Sequence, residues 1–246
     1  MVNLVLDIGN TRTKLGIFAE GHLLYKDQLE DLKSGLLEQL LMDFWVEQVL
    51  VSSVTKPSYE LLPDLSAMVR VQELTHLTPL PFVNAYHTPE TLGKDRLAAV
   101  AGAHALSPAT NCLVIDAGTC IKYEVLTAEG TYLGGNISPG LHMRSEAMHT
   151  FTARLPAVDL ELPAQSIGQS TTSALQNGAF LGAILEVEGF IARIEQELGK
   201  KWKVFITGGD GLFLKEYIKD KSAIYQPNLV LIGLDHIATY NWLASN

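Results

Sequence analysis

LVLDIGNT at residues 4–11 and LVIDAGT at 113–119 are two versions of one pattern. A short apolar run ends in an Asp, and one apolar residue, a Gly and then a Thr follow, with Asn10 between the Gly and the Thr in the first copy. The two acids, Asp7 and Asp116, lie 109 positions apart. Each run reads as a buried strand entering a tight turn. TKLGIF at 13–18 and CIKYEVL at 120–126 read as the strands after the turns, and they lead through Gly21 and Gly130 to third runs, HLLY and TYLGG. The chain therefore holds an internal repeat whose two copies each open with a three-stranded meander.

Helical spacing of apolar residues follows in both copies, over 32–45, 95–106, 140–153, 171–198, 211–219 and 233–243. VLVSSV at 49–54 and KVFITGG at 203–209 read as further strands that run into helices. Two α/β halves, 1–110 and 111–246, are the simplest arrangement, joined at SPAT, 107–110. Thr75 to Pro89, with three prolines, reads as a loop of the kind that carries substrate contacts.

Composition narrows the function. With 246 residues and 47% hydrophobic content the chain has ample material for a core. Its net charge of −9 argues against a broad basic surface for nucleic acid or an anionic membrane. Cys112 and Cys120 match no CxxC spacing and read as reduced, packed thiols. Val2 to Leu6 meets Asp7 with no basic flank, which is neither a signal peptide nor a membrane span, and a cytoplasmic protein is expected. The seven histidines form no HExxH or similar ligand set, so His142 and His149 are expected on a helix surface.

A strand that ends in Asp-x-Gly and hydroxyl residues offers backbone N–H groups and hydroxyls to a phosphate chain, while the carboxylate holds a hydrated cation. One such loop is often only a turn. Two at matching places in a repeat point to one nucleotide pinched between the halves.

The paired loops resemble those of the acetate and sugar kinase, heat-shock chaperone and actin superfamily, which implies a duplicated ribonuclease H-like fold. DIGNTRTKLGIF at 7–18 is similar to the type III pantothenate kinases in particular. The resemblance continues in order through GKDR at 93–96, DAGT at 116–119, GGNISPGL at 134–141, TARLP at 152–156, GQSTTSALQNG at 168–178 and TGG at 207–209. It implies ATP-dependent phosphorylation of pantothenate, the first step toward coenzyme A, by a homodimer with GGNISPG and the following helix near the interface. Asp7 would hold Mg2+ through water, with Ile8, Gly9, Asn10, Thr11, Arg12, Thr13 and Lys14 forming the first ATP loop. Arg12 stands where the family often has a small polar residue, and Lys14 also reads as a solvated strand residue. Asp116 matches a monovalent-cation site for K+ or NH4+, and Thr119 an ATP contact.

In GKDR the resemblance makes Asp95 the general base for the substrate hydroxyl and Arg96 a positioning guanidinium, with Gly93 and Lys94 beside the substrate. By local chemistry alone Asp95 reads as the cap of the helix starting RLAAVAGA. Tyr86 matches the family's substrate tyrosine and also reads as a packed loop aromatic. Thr171 matches a pantothenate contact, given from the neighbouring subunit, and also reads as a helix N-terminal hydroxyl, with Ser170 and Thr172 one position away. TGG would let adenosine lie against backbone, or is a plain strand-to-helix turn. Two alternatives stay open: another small-molecule kinase of the superfamily, and a nucleotide-binding regulator without catalysis.

Overall fold

The computed structural model describes residues 1–9, 12–30, 34–53 and 65–245. Asn10 and Thr11 lie outside the described residues, as do the ends of the expected helix and strand at 32–33 and 54. By contacts the chain divides into two units, one of 1–110, 126–134 and 228–246, the other of 111–125 and 135–227.

In the first unit β1 (Val2–Ile8), β2 (Thr13–Ala19) and β3 (His22–Leu29) form an antiparallel meander. After α1 (Ser34–Asp43), the strands β4 (Gln48–Ser53) and β5 (Arg70–Glu73) add in parallel on the other side of β1, giving the order β3-β2-β1-β4-β5. Every residue of β4 is buried, as expected of a strand covered on both faces. Leu4, Leu6, Leu15, Ile17, Val49 and Val51 pack with Leu37, Leu40 and Leu41 of α1. The unit also holds β6 (Val83–Asn84), a short strand within the expected 75–89 loop, and α2 (Lys94–Leu106).

The second unit repeats the plan. A meander of β7 (Cys112–Ala117), β8 (Cys120–Leu126) and β9 (Thr131–Pro139) is followed by α3 (Leu141–Thr150) and α4 (Thr171–Gln176). A π-helical turn at Asn177–Leu181 joins α4 to α5 (Gly182–Leu198), so the expected helix over 171–198 is continuous but not uniform. β10 (Lys203–Thr207) then lies parallel to β7, α6 (Gly211–Tyr217) follows, and β11 (Ile224–Tyr225) is parallel to β10. The order β11-β10-β7-β8-β9 matches that of the first sheet, and β6 pairs with Thr131 and Tyr132 at the start of β9, residues that by contacts belong to the first unit. Phe180, Ile184, Val187, Ile191 and Ile194 recur at helical spacing and form one core with Leu113, Ile115, Ile121 and Ile206.

The last helix, α7 (Leu229–Ser245), belongs to the first unit, where it packs on β1, β4 and α2. It begins four residues earlier than the periodicity of 233–243 suggests. Val230 and Leu231 are already buried, and the chain turns into the helix after Pro227. Two glycines set its distance from α2: a Cβ on Gly233 would lie 1.7 Å from the Ala98 carbonyl oxygen, and one on Gly102 2.2 Å from that of Leu229. Only residues without side chains permit backbones this close. Asp235 on α7 accepts a hydrogen bond from Asn3 Nδ2 at 2.6 Å, and burial pushes its carboxyl up to about 6. No helix among the described residues is long and apolar enough to cross a membrane.

Candidate functional site

The two Asp-x-Gly turns occupy equivalent places. Asp7 and Asp116 are each the penultimate residue of the first strand of their meander. In the parallel neighbour, Asp7 stands opposite Ser52 and Asp116 opposite Thr207. Ser52 Oγ donates to Asp7 Oδ1 at 3.3 Å, and Ser52 is fully buried. The first turn is closed by Gly9 N–H donating to the Arg12 carbonyl at 3.1 Å. Thr13 is buried, Lys14 is partly buried on β2 opposite Asp7, and Arg12 is exposed. Ile8, at 6% exposure, belongs to the hydrophobic core, so any contribution to a phosphate comes from its backbone.

At the second turn Asp116 Oδ2 pairs with Lys122 Nζ at 2.6 Å, and both side chains are mostly buried. The TGG segment closes over this turn from β10. Gly208 has φ +91, a left-handed conformation suited to glycine, and a Cβ there would lie 2.1 Å from the Ala117 carbonyl oxygen and 2.7 Å from Asp116 Oδ1. Asp210 N–H donates to Ala117 O at 3.0 Å, completing the lock. Thr119 is exposed at the tip of the turn, and its carbonyl accepts from Gly140 N–H at 3.1 Å.

A cavity of about 720 Å³ opens beside this turn, lined by Gly118, Thr119, His142, Met143, Phe151 and Asp210. Its size is that of a site for a small organic ligand. Burial raises the carboxyl pKa of Asp210, and the imidazole of the exposed His142, 3.5 Å away, offsets part of that rise. His149 Nδ1 lies 2.8 Å from the Leu155 carbonyl. Among the described residues no cluster of three or more His, Cys, Asp or Glu could hold a metal ion.

The GKDR segment forms the start of α2 and departs from the expected cap. Gly93 is the N-cap and Asp95 the second residue of the helix. Asp95 Oδ1 accepts from Arg96 N–H at 2.9 Å, placing a negative charge in the first turn, where the helix dipole favours it. Arg96 is buried, and its guanidinium carbon stands 5.4 Å from the centre of the Tyr86 ring. Tyr86 in turn stacks on the fully buried Tyr132 with 13° between ring planes. Asn84 Oδ1 accepts from Tyr86 N–H, and Tyr132 O from Ala85 N–H, which fixes the backbone on either side. Tyr86, Asp95 and Arg96 are thus brought together. Lys94 points elsewhere, to Glu73 Oε1 at 2.9 Å.

Thr171 is the exposed first residue of α4, in the second unit. It is not the cap. Ser170 is, accepting from Ser173 N–H in a capping box, because its extended backbone aims the hydroxyl back along the helix. Cys112 is buried and Cys120 partly so, both as free thiols.

Sequence reasoning missed Ser52, Lys122 and a network around Glu186. Burial pushes Glu186 up, but hydrogen bonds from Ser138, Arg144 and Tyr123 outweigh this and hold it below the usual carboxylate range. The repeat offered a signal for the first of these, since aligning β4 with β10 sets Ser52 against Thr207. Glu186 sits far from its partners along the chain and carried no such signal.

A duplicated five-strand plan with an Asp-x-Gly turn at the same strand end in each copy defines an actin-like ATPase fold, the class that includes sugar kinases. Among solved structures, a Baf family protein from Campylobacter jejuni matches with TM-score 0.65 and 24% identity, covering 98% of this chain and 99% of that one. A ROK hexokinase from Thermus thermophilus matches over all of both chains with TM-score 0.52 and 15% identity. At this identity the likeness speaks for the fold.

The particular family follows from sequence. The type III pantothenate kinase family model matches residues 3–193, and the chain belongs to that family. A type III pantothenate kinase from Bacteroides fragilis is 41% identical over 244 residues, 98% of each chain. Another from Phocaeicola vulgatus is 39% identical over 242 residues, 98% of this chain and 99% of its own.

Proposed function

We propose that the chain transfers the γ-phosphoryl group of ATP to the 4'-hydroxyl of pantothenate, yielding 4'-phosphopantothenate and ADP on the way to coenzyme A. Within a chain of this family, the observation that carries the residue roles is the start of α2, where Asp95, Arg96 and Tyr86 meet. Asp95 takes the hydroxyl proton as that oxygen attacks the γ-phosphorus in line and the bond to the bridging oxygen of ADP breaks. Arg96, always charged and standing over the Tyr86 ring, positions the anionic substrate.

The first turn takes the β- and γ-phosphates on Gly9, Thr13 and Lys14, with Asn10, Thr11 and Arg12 in the same loop. Asp7 suits Mg2+, an ion that keeps several waters and takes one or two carboxylates. Thr119 faces the ligand in the second turn, and the cavity beside it has the size for the nucleoside part. A monovalent positive charge at Asp116 belongs to the same reading, potassium or ammonium in the family pattern. So do Gly93 at the substrate's edge, with Lys94 beside it turned to Glu73, Thr171 as a pantothenate contact across a homodimer, and a cytoplasmic location, which the metabolic substrate supports.

A panel of pantothenate, hexoses and short hydroxy acids, read by ADP formation, tests the substrate. Pantothenate is expected to be turned over fastest. Turnover of a sugar with none of pantothenate would transfer the chain to another small-molecule kinase activity, and tight nucleotide binding without transfer to any acceptor would favour a regulator.

A further inference from the structure

The donor set at Asp116 does not fit a potassium ion. Potassium is held by several oxygens that replace its water shell. Here one carboxylate oxygen, Oδ2, is taken by the Lys122 ammonium at 2.6 Å. The other, Oδ1, lies beside Gly208, where an added Cβ would come within 2.7 Å of it. Exposures of 17% for the lysine and 13% for the aspartate side chain leave little access for a hydrated ion. A second cation brought to this carboxylate would also stand next to a charge of its own sign, which disfavours it.

We infer that Lys122 is the resident monovalent cation of the second phosphate turn, a tethered ammonium that makes the chain independent of added potassium or ammonium. The placement follows from the strand. Lys122 is the third residue of β8, just past the turn whose acid it neutralises, so the same hairpin that presents Thr119 delivers the counter-charge. A lysine ammonium and a free ammonium ion offer the same chemistry, N–H donors on a compact positive charge. Tethering removes the need to capture the ion from solution. Lys122 is thus a positioning residue: it holds Asp116, and with it the turn, for the phosphates.

This rests on the kinase reading only for the nucleotide, so affinity for ATP analogues is the first readout and does not require that pantothenate be the acceptor. Equilibrium titration with a non-hydrolysable ATP analogue and Mg2+ is run in Tris chloride and in potassium chloride at equal ionic strength. It uses the wild type, Lys122→Ala and Lys122→Arg, with turnover measured in parallel. Wild-type affinity and turnover are expected to be the same in both salts. Lys122→Ala is expected to lose affinity in Tris, and potassium restores it wherever the vacated space admits the ion. If it does not, Lys122→Arg, which keeps the charge, retains affinity that Lys122→Ala has lost in both salts. Activation of the wild type by potassium overturns the inference. So does a Lys122→Ala protein that binds the analogue like wild type in Tris, because Asp116 would then need no fixed cation. A variant that does not fold leaves the wild-type comparison of the two salts to decide.

Discussion

Asp7 and Asp116 end equivalent strands, yet the two carboxylates are held differently. Asp7 receives a neutral hydroxyl from Ser52, and the turn after it is closed by its own backbone. Asp116 is paired with an ammonium, and its turn is locked from outside by Gly208 and Asp210. A duplicated strand plan thus supports two chemistries. Ser52 offers Asp7 a neutral donor and Lys122 offers Asp116 a charged one, so exchanging either acid for its amide should have different consequences at the two turns. The lesson is that a repeated motif carries over its backbone geometry more faithfully than its electrostatics.

The largest expected effect lies outside both turns. If the turns only hold nucleotide, Asp95→Asn should bind ATP like wild type while turnover falls by about 10²- to 10⁴-fold, the usual worth of general-base assistance. Nucleotide titration beside steady-state kinetics checks this, and activity within a few-fold of wild type would return the proton transfer to one of the two turns.

Next comes the external lock on the second turn. Gly208→Ala forces a left-handed residue to carry a Cβ into the Ala117 carbonyl, so a loss of at least about 1–3 kcal/mol is expected. Gly118→Ala, whose Cβ would meet nothing within 4 Å, should stay within about 0.5 kcal/mol. Urea unfolding of the pair measures the difference, and equal losses would remove the lock from the comparison.

The acids themselves sharpen it further. Asp116→Asn leaves Lys122 without its carboxylate in a mostly buried place, and with partial solvent access the cost should be about 1–3 kcal/mol of stability. Asp7→Asn keeps an acceptor for Ser52 and should cost less than about 1 kcal/mol, yet weaken binding of ATP selectively in the presence of Mg2+. Unfolding curves and titrations with and without Mg2+ separate the two, and a matching Mg2+ response at both acids would erase the distinction.

The smallest effect concerns the aromatic platform. Tyr86→Leu removes the ring face from Arg96 and should raise KM for pantothenate by the equivalent of about 0.5–2 kcal/mol, whereas Tyr86→Phe keeps the face and should change little. KM and kcat for both variants test it.

Much of this arrangement was legible in the chain. The repeat, the meanders and both acids were visible because strand alternation and turn residues are local signals. The helix start at GKDR was visible too, although Asp95 read as the cap. A glycine with φ −58 and ψ 131 serves as N-cap at Gly93, which leaves Asp95 inside the first turn. Likewise Ser170, not Thr171, caps α4, a choice set by backbone angles that neighbouring hydroxyl residues do not reveal. Lys122 read as one polar residue of a strand. Its pairing depends on the side chain folding back along the hairpin to Asp116, a three-dimensional fact with no periodicity. Lys94 shows the converse: a motif lysine next to the proposed base turns to Glu73, which lies 21 residues upstream.

The most direct test of the whole account is the mass of the product formed from Mg-ATP and pantothenate, followed in Tris salts and again with potassium. Phosphorylated pantothenate is expected, formed one-for-one with ADP and at the same rate in both salts. Absence of that product, with ADP released to a sugar or with nucleotide bound and never turned over, would contradict it.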